Sequence, residues 1–219
     1  MIDLHTHTLF SDGELLPAEL AQRAQVMGLE ALAFTDHADM SNLELVLPRL
    51  LAAARELGRH HVMRLLAGVE LTHLPPKLIG PYAAKARAMG AQIVVVHGES
   101  PVEPVAPGTN RAAIEAGVDL LAHPGLITPA ECALAAEKGV MLEISSRGGH
   151  SLGNGRVALL GQRAGAALVI NTDSHAPRDL IDHAFARRVG LNAGLEEEEV
   201  EQCFTRARLF VERALGVSI

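Results

Sequence analysis

The sequence predicts an α/β fold: a TIM-like (β/α)7 barrel of parallel strands in a single domain. Three observations carry this. Short apolar runs alternate with longer amphipathic stretches along all 219 residues, which implies parallel strands joined by right-handed crossovers. The order helix, glycine, apolar run recurs as RAMGAQIVVV, IEAGVDLLA, AEKGVMLEI and RAGAALVI, and a glycine there ends a helix in the left-handed conformation before the next strand. Histidines and carboxylates close six of the seven apolar runs, and a ring of strands is the arrangement that brings so many ends to one centre. An open doubly wound sheet is the competing architecture, but its outer strand ends would lie too far from the crevice at the switch point.

Strands are expected at about 2–6, 30–36, 64–71, 91–97, 118–123, 140–145 and 167–172. Between them PAELAQRAQVMG, ELVLPRLLAAARELGRH, GPYAAKARAMG, NRAAIEAG, TPAECALAAEKG and GRVALLGQRAG read as helices. Two more follow, LIDHAFARRVG and EEEEVEQCFTRARLFVERALG. Glu196 to Glu199 suit a helix start, where the macrodipole favours negative charge. The barrel is expected over about 1–190 and a C-terminal helix over about 195–215, with no linker or second domain in 1–219.

The composition narrows the function classes. Hydrophobic residues make up 48 % of the chain but aromatics only 3 %, so the core must be aliphatic, as in layered α/β proteins. A formal net charge of −7 argues against a strong grip on a nucleic-acid backbone. A small anionic substrate remains compatible, because bound divalent cations locally reverse the sign. Cys132 and Cys203 both fall in expected helices, which speaks against a disulfide and against thiolate ligation. No run is long enough to span a membrane, and MIDLHTHT carries no leader pattern, so the expected setting is the cytoplasm, with no membrane partner.

The chemistry sits in the strand ends. His5 and His7 are two apart, so a strand turns both rings to one face. In FTDH, His37 is the candidate ligand, and Asp36, on the opposite face, is an outer acceptor that orients its neighbours. Asp12, in the loop after the first strand, offers a further carboxylate. Glu70 follows LLAGV, and a carboxylate entering a barrel interior is costly without a cation or hydrogen bonds. His97 and His123 end two nearly unbroken apolar strands. Asp173 and His175, again two apart, bring the seventh strand beside the first. Nine such groups at repeated strand ends are what a hydrolytic site with several metals requires.

HTH with the following SDG, then TDH, GVE, VVVHGE, AHPG and NTDSH span residues 5 to 175, and in this order they resemble the PHP superfamily (polymerase and histidinol phosphatase). The resemblance implies a distorted (β/α)7 barrel holding about three divalent metal ions, with Zn, Mn or Fe all suited to the N/O donors. It implies a first metal on His5, His7, Glu70 and Asp173, a second on Glu70, His97 and His123, and a third on Asp12, His37 and His175. Several relatives carry His where Asp12 stands. The implied activity is that of a metal-dependent phosphoric ester hydrolase. A hydroxide generated between Glu70 and Asp173 would attack a small, histidinol-phosphate-like phosphomonoester, with His175 or Asp12 near the leaving group. The alternative is a PHP-type phosphodiesterase or exonuclease on nucleotides or single-stranded nucleic acid, which the acidic chain and scarce stacking aromatics disfavour.

Substrate contacts are expected above these ligands. In ISSRGGHSLGNGR, Arg147 is placed to grip phosphate bidentately, with His150 and Asn154 beside it. The segment THLPPKLIG adds His73 and Lys77. The stretch 146–156 is a candidate lid.

Overall fold

A computed structural model describes residues 1–217. Its order is β1 (Ile2–Thr6), α1 (Pro17–Val26), β2 (Ala31–Phe34), β3 (His37–Ala38), α2 (Leu43–Leu57), β4 (Arg64–Leu71), α3 (Pro76–Ala88), β5 (Ile93–His97) and α4 (Thr109–Glu115). There follow β6 (Leu120–Ala122), α5 (Pro129–Lys138), β7 (Met141–Ser145), α6 (Asn154–Ala164), β8 (Leu168–Asn171), α7 (His183–Asn192) and α8 (Glu197–Leu215). Seven strands pair in parallel in the order β1-β2-β4-β5-β6-β7-β8, a nearly closed α/β barrel in one domain.

The expected strand over 30–36 is split. The amide of Glu70 donates to both Thr35 and Asp36 carbonyls, each at 3.1 Å, so two residues oppose one and the ladder bulges. The strand resumes as β3, which pairs His37 with Glu70 and carries it into the centre. The first and last strands are neighbours as expected, but their ladder shrinks to one bridge, Thr6 to Ser174. Side chains span the rest of that seam. Asn171 Oδ1 accepts the Leu4 amide at 3.0 Å, and Asp3 Oδ1 accepts the Thr172 amide at 3.2 Å.

Helix boundaries follow local chemistry. Pro17, Pro76 and Pro129 head α1, α3 and α5, where a fixed φ and a missing N–H are harmless. Thus α3 begins ahead of the expected Gly80 start. Asp182 caps α7 through the Phe185 amide at 2.7 Å, so that helix begins after the expected Leu180.

The core has two layers. Leu32, Leu47, Leu50, Val94, Ile114 and Leu142 fill the space between sheet and helices. Inside the barrel, Leu4, Leu66, Ile93, Val95 and Val169 meet Phe210 and Val211 of α8. That helix therefore closes the end where the strands begin, and the polar groups gather at the other. Gly68 explains the glycine of GVE: a Cβ there would meet the Ile93 carbonyl oxygen at 1.8 Å. Bare backbone lets β4 and β5 pair at this point.

Candidate metal centre

β1 delivers His5 and His7 fully buried, beside Glu70 from β4 and Asp173 from the loop after β8. His5 Nε2 lies 3.3 Å from Glu70 Oε1 and 3.7 Å from Asp173 Oδ1. His7 Nε2 lies 3.6 Å from Glu70 Oε2 and 3.2 Å from Asp173 Oδ1. Donor atoms of His5, His7 and Asp173 all fall within 4.8 Å of one another. Beyond Glu70, His123 Nε2 stands 3.8 Å from Glu70 Oε1 and 3.7 Å from Asp173 Oδ2, with the His97 ring at 4.5 Å from the His123 ring. At the mouth, Asp12 Oδ1 is 3.5 Å from His37 Nε2 and 3.2 Å from His175 Nε2, and His7 completes that group. All nine expected ligands thus converge on one locus.

Four of the imidazoles are held through their second ring nitrogen. Nδ1 of His5 is 2.9 Å from Glu143 Oε1, Nδ1 of His97 is 3.2 Å from the Gly98 carbonyl, and Nδ1 of His175 is 2.9 Å from the Asp173 carbonyl, while Nδ1 of His37 lies 2.6 Å from both Thr72 Oγ1 and the central Glu70 Oε2. In the neutral ring, an Nδ1–H donated to an outer oxygen leaves the Nε2 lone pair for a cation. Asp36 does a different job. It accepts the Thr8 amide at 2.9 Å and the Ser11 hydroxyl at 2.8 Å, fixing the turn that leads to Asp12.

Four buried polar atoms find no hydrogen-bond partner among the described residues: His7 Nδ1, Glu70 Oε1, and both ring nitrogens of His123. Orphaned polar atoms in a core are costly and rare, and a bound cation would answer the Glu70 oxygen and His123 Nε2, which stand 3.8 Å apart. Burial and the charges of His37 and His97 hold His7 and His123, respectively, well below the usual imidazole range, hence neutral. Burial would raise Glu70, yet His5, His37 and His97 hold it well below the carboxylate range. Two candidate ligands sit in the left-handed region, His123 at φ 27° and Asp173 at φ 52°, where non-glycine residues are strained. The donor set fits divalent cations of the Zn, Mn or Fe type.

Residues 3–138 match the family model of the PHP domain. The chain belongs to the PHP domain family. It is a metal-dependent phosphoesterase of that family, with several His and Asp groups that could hold metal ions. It is 50 % identical over 201 residues to an uncharacterized protein, MJ1295, of Methanocaldococcus jannaschii, covering 91 % of this chain and 92 % of that one. It is 27 % identical over 192 residues to the DNA polymerase/3'-5' exonuclease PolX of Bacillus subtilis, covering 79 % of this chain but 34 % of the relative. In fold it is similar to a chain in the cryo-EM structure of archaeal ribonuclease P with mature tRNA, at TM-score 0.73 and 17 % identity, over 98 % of this chain and 91 % of that one.

Above the ligands of this PHP domain lies a cavity of about 210 Å³ whose wall includes Asp12, His73, Glu103, Arg147 and His150. Arg147 reaches it from the loop after β7, its Nη1 donating to the Asp173 carbonyl at 3.1 Å and its Nε 3.6 Å from Asp173 Oδ2. Two expected contacts lie elsewhere. Asn154 is buried as a brace, accepting the Ser145 amide at 3.1 Å and donating to the Ser145 carbonyl at 2.8 Å. Lys77 is exposed in the first turn of α3, away from the cavity wall. Two carboxylates escaped the sequence reading. Glu143 is fully buried, takes the His123 amide at 3.0 Å and holds His5. A lone acid inside VMLEIS was its signal, the same one that marks Glu70. Glu103 sits in an exposed loop, where nothing local distinguishes it, yet its Oε2 lies 3.0 Å from His97 Nε2.

Proposed function

We propose that this PHP domain, with the whole chain as its catalytic unit, hydrolyses a small phosphomonoester at a centre of about three divalent cations. The observation that supports this most is the size and lining of the cavity: about 210 Å³, lined by imidazoles and carboxylates, with the Arg147 guanidinium beside Asp173. A phosphate with a modest alcohol fits such a volume. The first cation falls to His5, His7, Glu70 and Asp173, the second to Glu70, His97 and His123, and the third to Asp12, His37 and His175. When bound, these cations supply Lewis acidity and a water deprotonated near neutral pH.

The chain's own residues do the rest. Arg147 donates to the non-bridging phosphate oxygens and turns phosphorus toward Glu70 and Asp173. His175 or Asp12, at the mouth, stands nearest the departing oxygen. Asp12 and Glu103 make the rim acidic, which suits an alcohol that carries an amine, as histidinol does. The two free cysteines are buried in α5 and α8, and no helix among the described residues is long and apolar enough to cross a membrane; the proposed setting is the cytoplasm.

The test is phosphate release by metal-loaded protein from histidinol phosphate, nucleoside monophosphates and p-nitrophenyl phosphate, beside cleavage of a short single-stranded oligonucleotide. Monoester turnover abolished by a chelator is expected. The likeness to PolX supports the second reading, and oligonucleotide cleavage without monoester turnover would establish it instead.

A further inference from the structure

His150 is assigned no place among the nine ligands, yet its surroundings are those of a ligand. The side chain is only 4 % exposed. Its ring stacks on that of His123 at 3.9 Å and 10°, and meets the ring of His97 edge-on at 5.8 Å. Nitrogens of His97, His123 and His150 all lie within 4.8 Å of one another. Nε2 of His150 points at anions, with Asp173 Oδ2 at 3.7 Å and Glu103 Oε1 at 3.4 Å. The other oxygen of Glu103 is the one 3.0 Å from His97 Nε2, so a single carboxylate spans both rings. Around a tetrahedral cation with bonds of about 2.0–2.1 Å, neighbouring donors stand about 3.3–3.4 Å apart. The Glu103 spacings therefore already approach a coordination sphere.

The outer side of the ring repeats the pattern of the recognised ligands. Nδ1 of His150 is 2.6 Å from Ser100 Oγ, and the Val102 amide donates to that same oxygen at 3.3 Å. With Ser100 accepting from Nδ1–H, Nε2 keeps its lone pair for the centre.

We propose that His150 is a tenth metal ligand, which joins His97 and His123 around the second cation while Glu103 bridges from the rim. This rests on the metal-centre reading above. It has a consequence for the loop after β7. Gly149 there takes φ 89°, a turn open to glycine, and Arg147 is three residues before His150. A cation held by His150 would anchor that loop from inside the barrel and steady the Arg147 guanidinium that already lines the cavity.

The test is made on the full chain, stripped of metal and reloaded with Mn²⁺ or Zn²⁺. Cation equivalents retained after gel filtration are counted, and affinities are measured by calorimetry. H150A is expected to lose one equivalent, or to bind it at least about 10-fold more weakly, and to change the visible spectrum of the Co²⁺-loaded protein. In the Zn²⁺-loaded crystal, an anomalous peak is expected within bonding distance of His150 Nε2. Should H150A fail to fold by circular dichroism, S100A keeps the imidazole and removes only its outer anchor; weaker binding of one equivalent is again expected. Unchanged stoichiometry and affinity in the folded variant would overturn the assignment. Wild-type protein that retains no cation at all would instead sink the metal-centre reading itself.

Discussion

His5 Nδ1 lies 2.9 Å from Glu143 Oε1, wholly inside the barrel, and the same carboxylate oxygen accepts from the Asn171 side-chain Nδ2 at 2.9 Å. One buried acid therefore ties a ligand on the first strand to the far edge of the sheet. Burial alone would lower His5, but Glu143, Glu70 and Asp173 outweigh it and hold the ring well above its usual range. Replacing Glu143 by Gln keeps the shape and removes the charge. Cation affinity in E143Q is expected to fall about 10–100-fold with the fold retained. Metal content against chelator concentration, read beside far-UV circular dichroism, checks this.

Arg147 reaches the cavity as a planar fork. R147A is expected to lose about 10–150-fold in kcat/KM for a phosphomonoester, the equivalent of roughly 1.5–3 kcal/mol for charge-assisted hydrogen bonds. R147K should recover little, because an ammonium does not present the parallel donors of a guanidinium. Full activity in R147A would place phosphate recognition elsewhere.

Protons and cations compete at Asp173. Burial raises its carboxyl, His5 opposes, and Glu70 and Glu143 push it further up. In the metal-free protein this group therefore holds its proton to higher pH than an ordinary aspartate. A cation requires the carboxylate, so binding must expel that proton wherever it is still present. Affinity is expected to weaken as the pH falls below neutral. Calorimetry in two buffers of different ionisation heat should register more proton release at pH 6 than at pH 8. Equal release at both values would remove Asp173 from the ligand set.

Gly68 offers a test of the scaffold. Alanine would set a methyl against the Ile93 carbonyl, and backbone cannot move aside as a side chain end does. G68A is expected to cost at least about 3 kcal/mol. For a domain of this size that lowers Tm by about 6–12 °C. An unchanged melting curve would mean that β4 and β5 are spaced differently.

These residues also mark what could be read from sequence. Most of the candidate ligands stood out because they end apolar runs, where a polar side chain has no reason to be unless something holds it; Asp12, in a loop, had no such mark. Glu70 and His97 are of this kind. The barrel was legible because alternation with glycine stops is local. What escaped depends on distance along the chain. Asn154, in a glycine-rich loop, looks the same whether it faces a substrate or the Ser145 backbone. Glu103 gains meaning only when β5 and the loop after β7 bring His97 and His150 to it. The split of the second strand at Thr35 and Asp36 likewise arises from one amide of β4, thirty-odd residues away.

The seam between the first and last strands carries a further implication. His5 and His7 stand on one side of it, Asp173 and His175 on the other, and cations bound across it would crosslink chain segments some 170 residues apart. Closing so long a loop restricts the denatured ensemble, and ligands that bind only the folded form favour it by mass action. Loading with metal should therefore raise the melting temperature more than any one strand pairing would, and proteolysis of the stripped protein should begin where the two ends of the sheet part company.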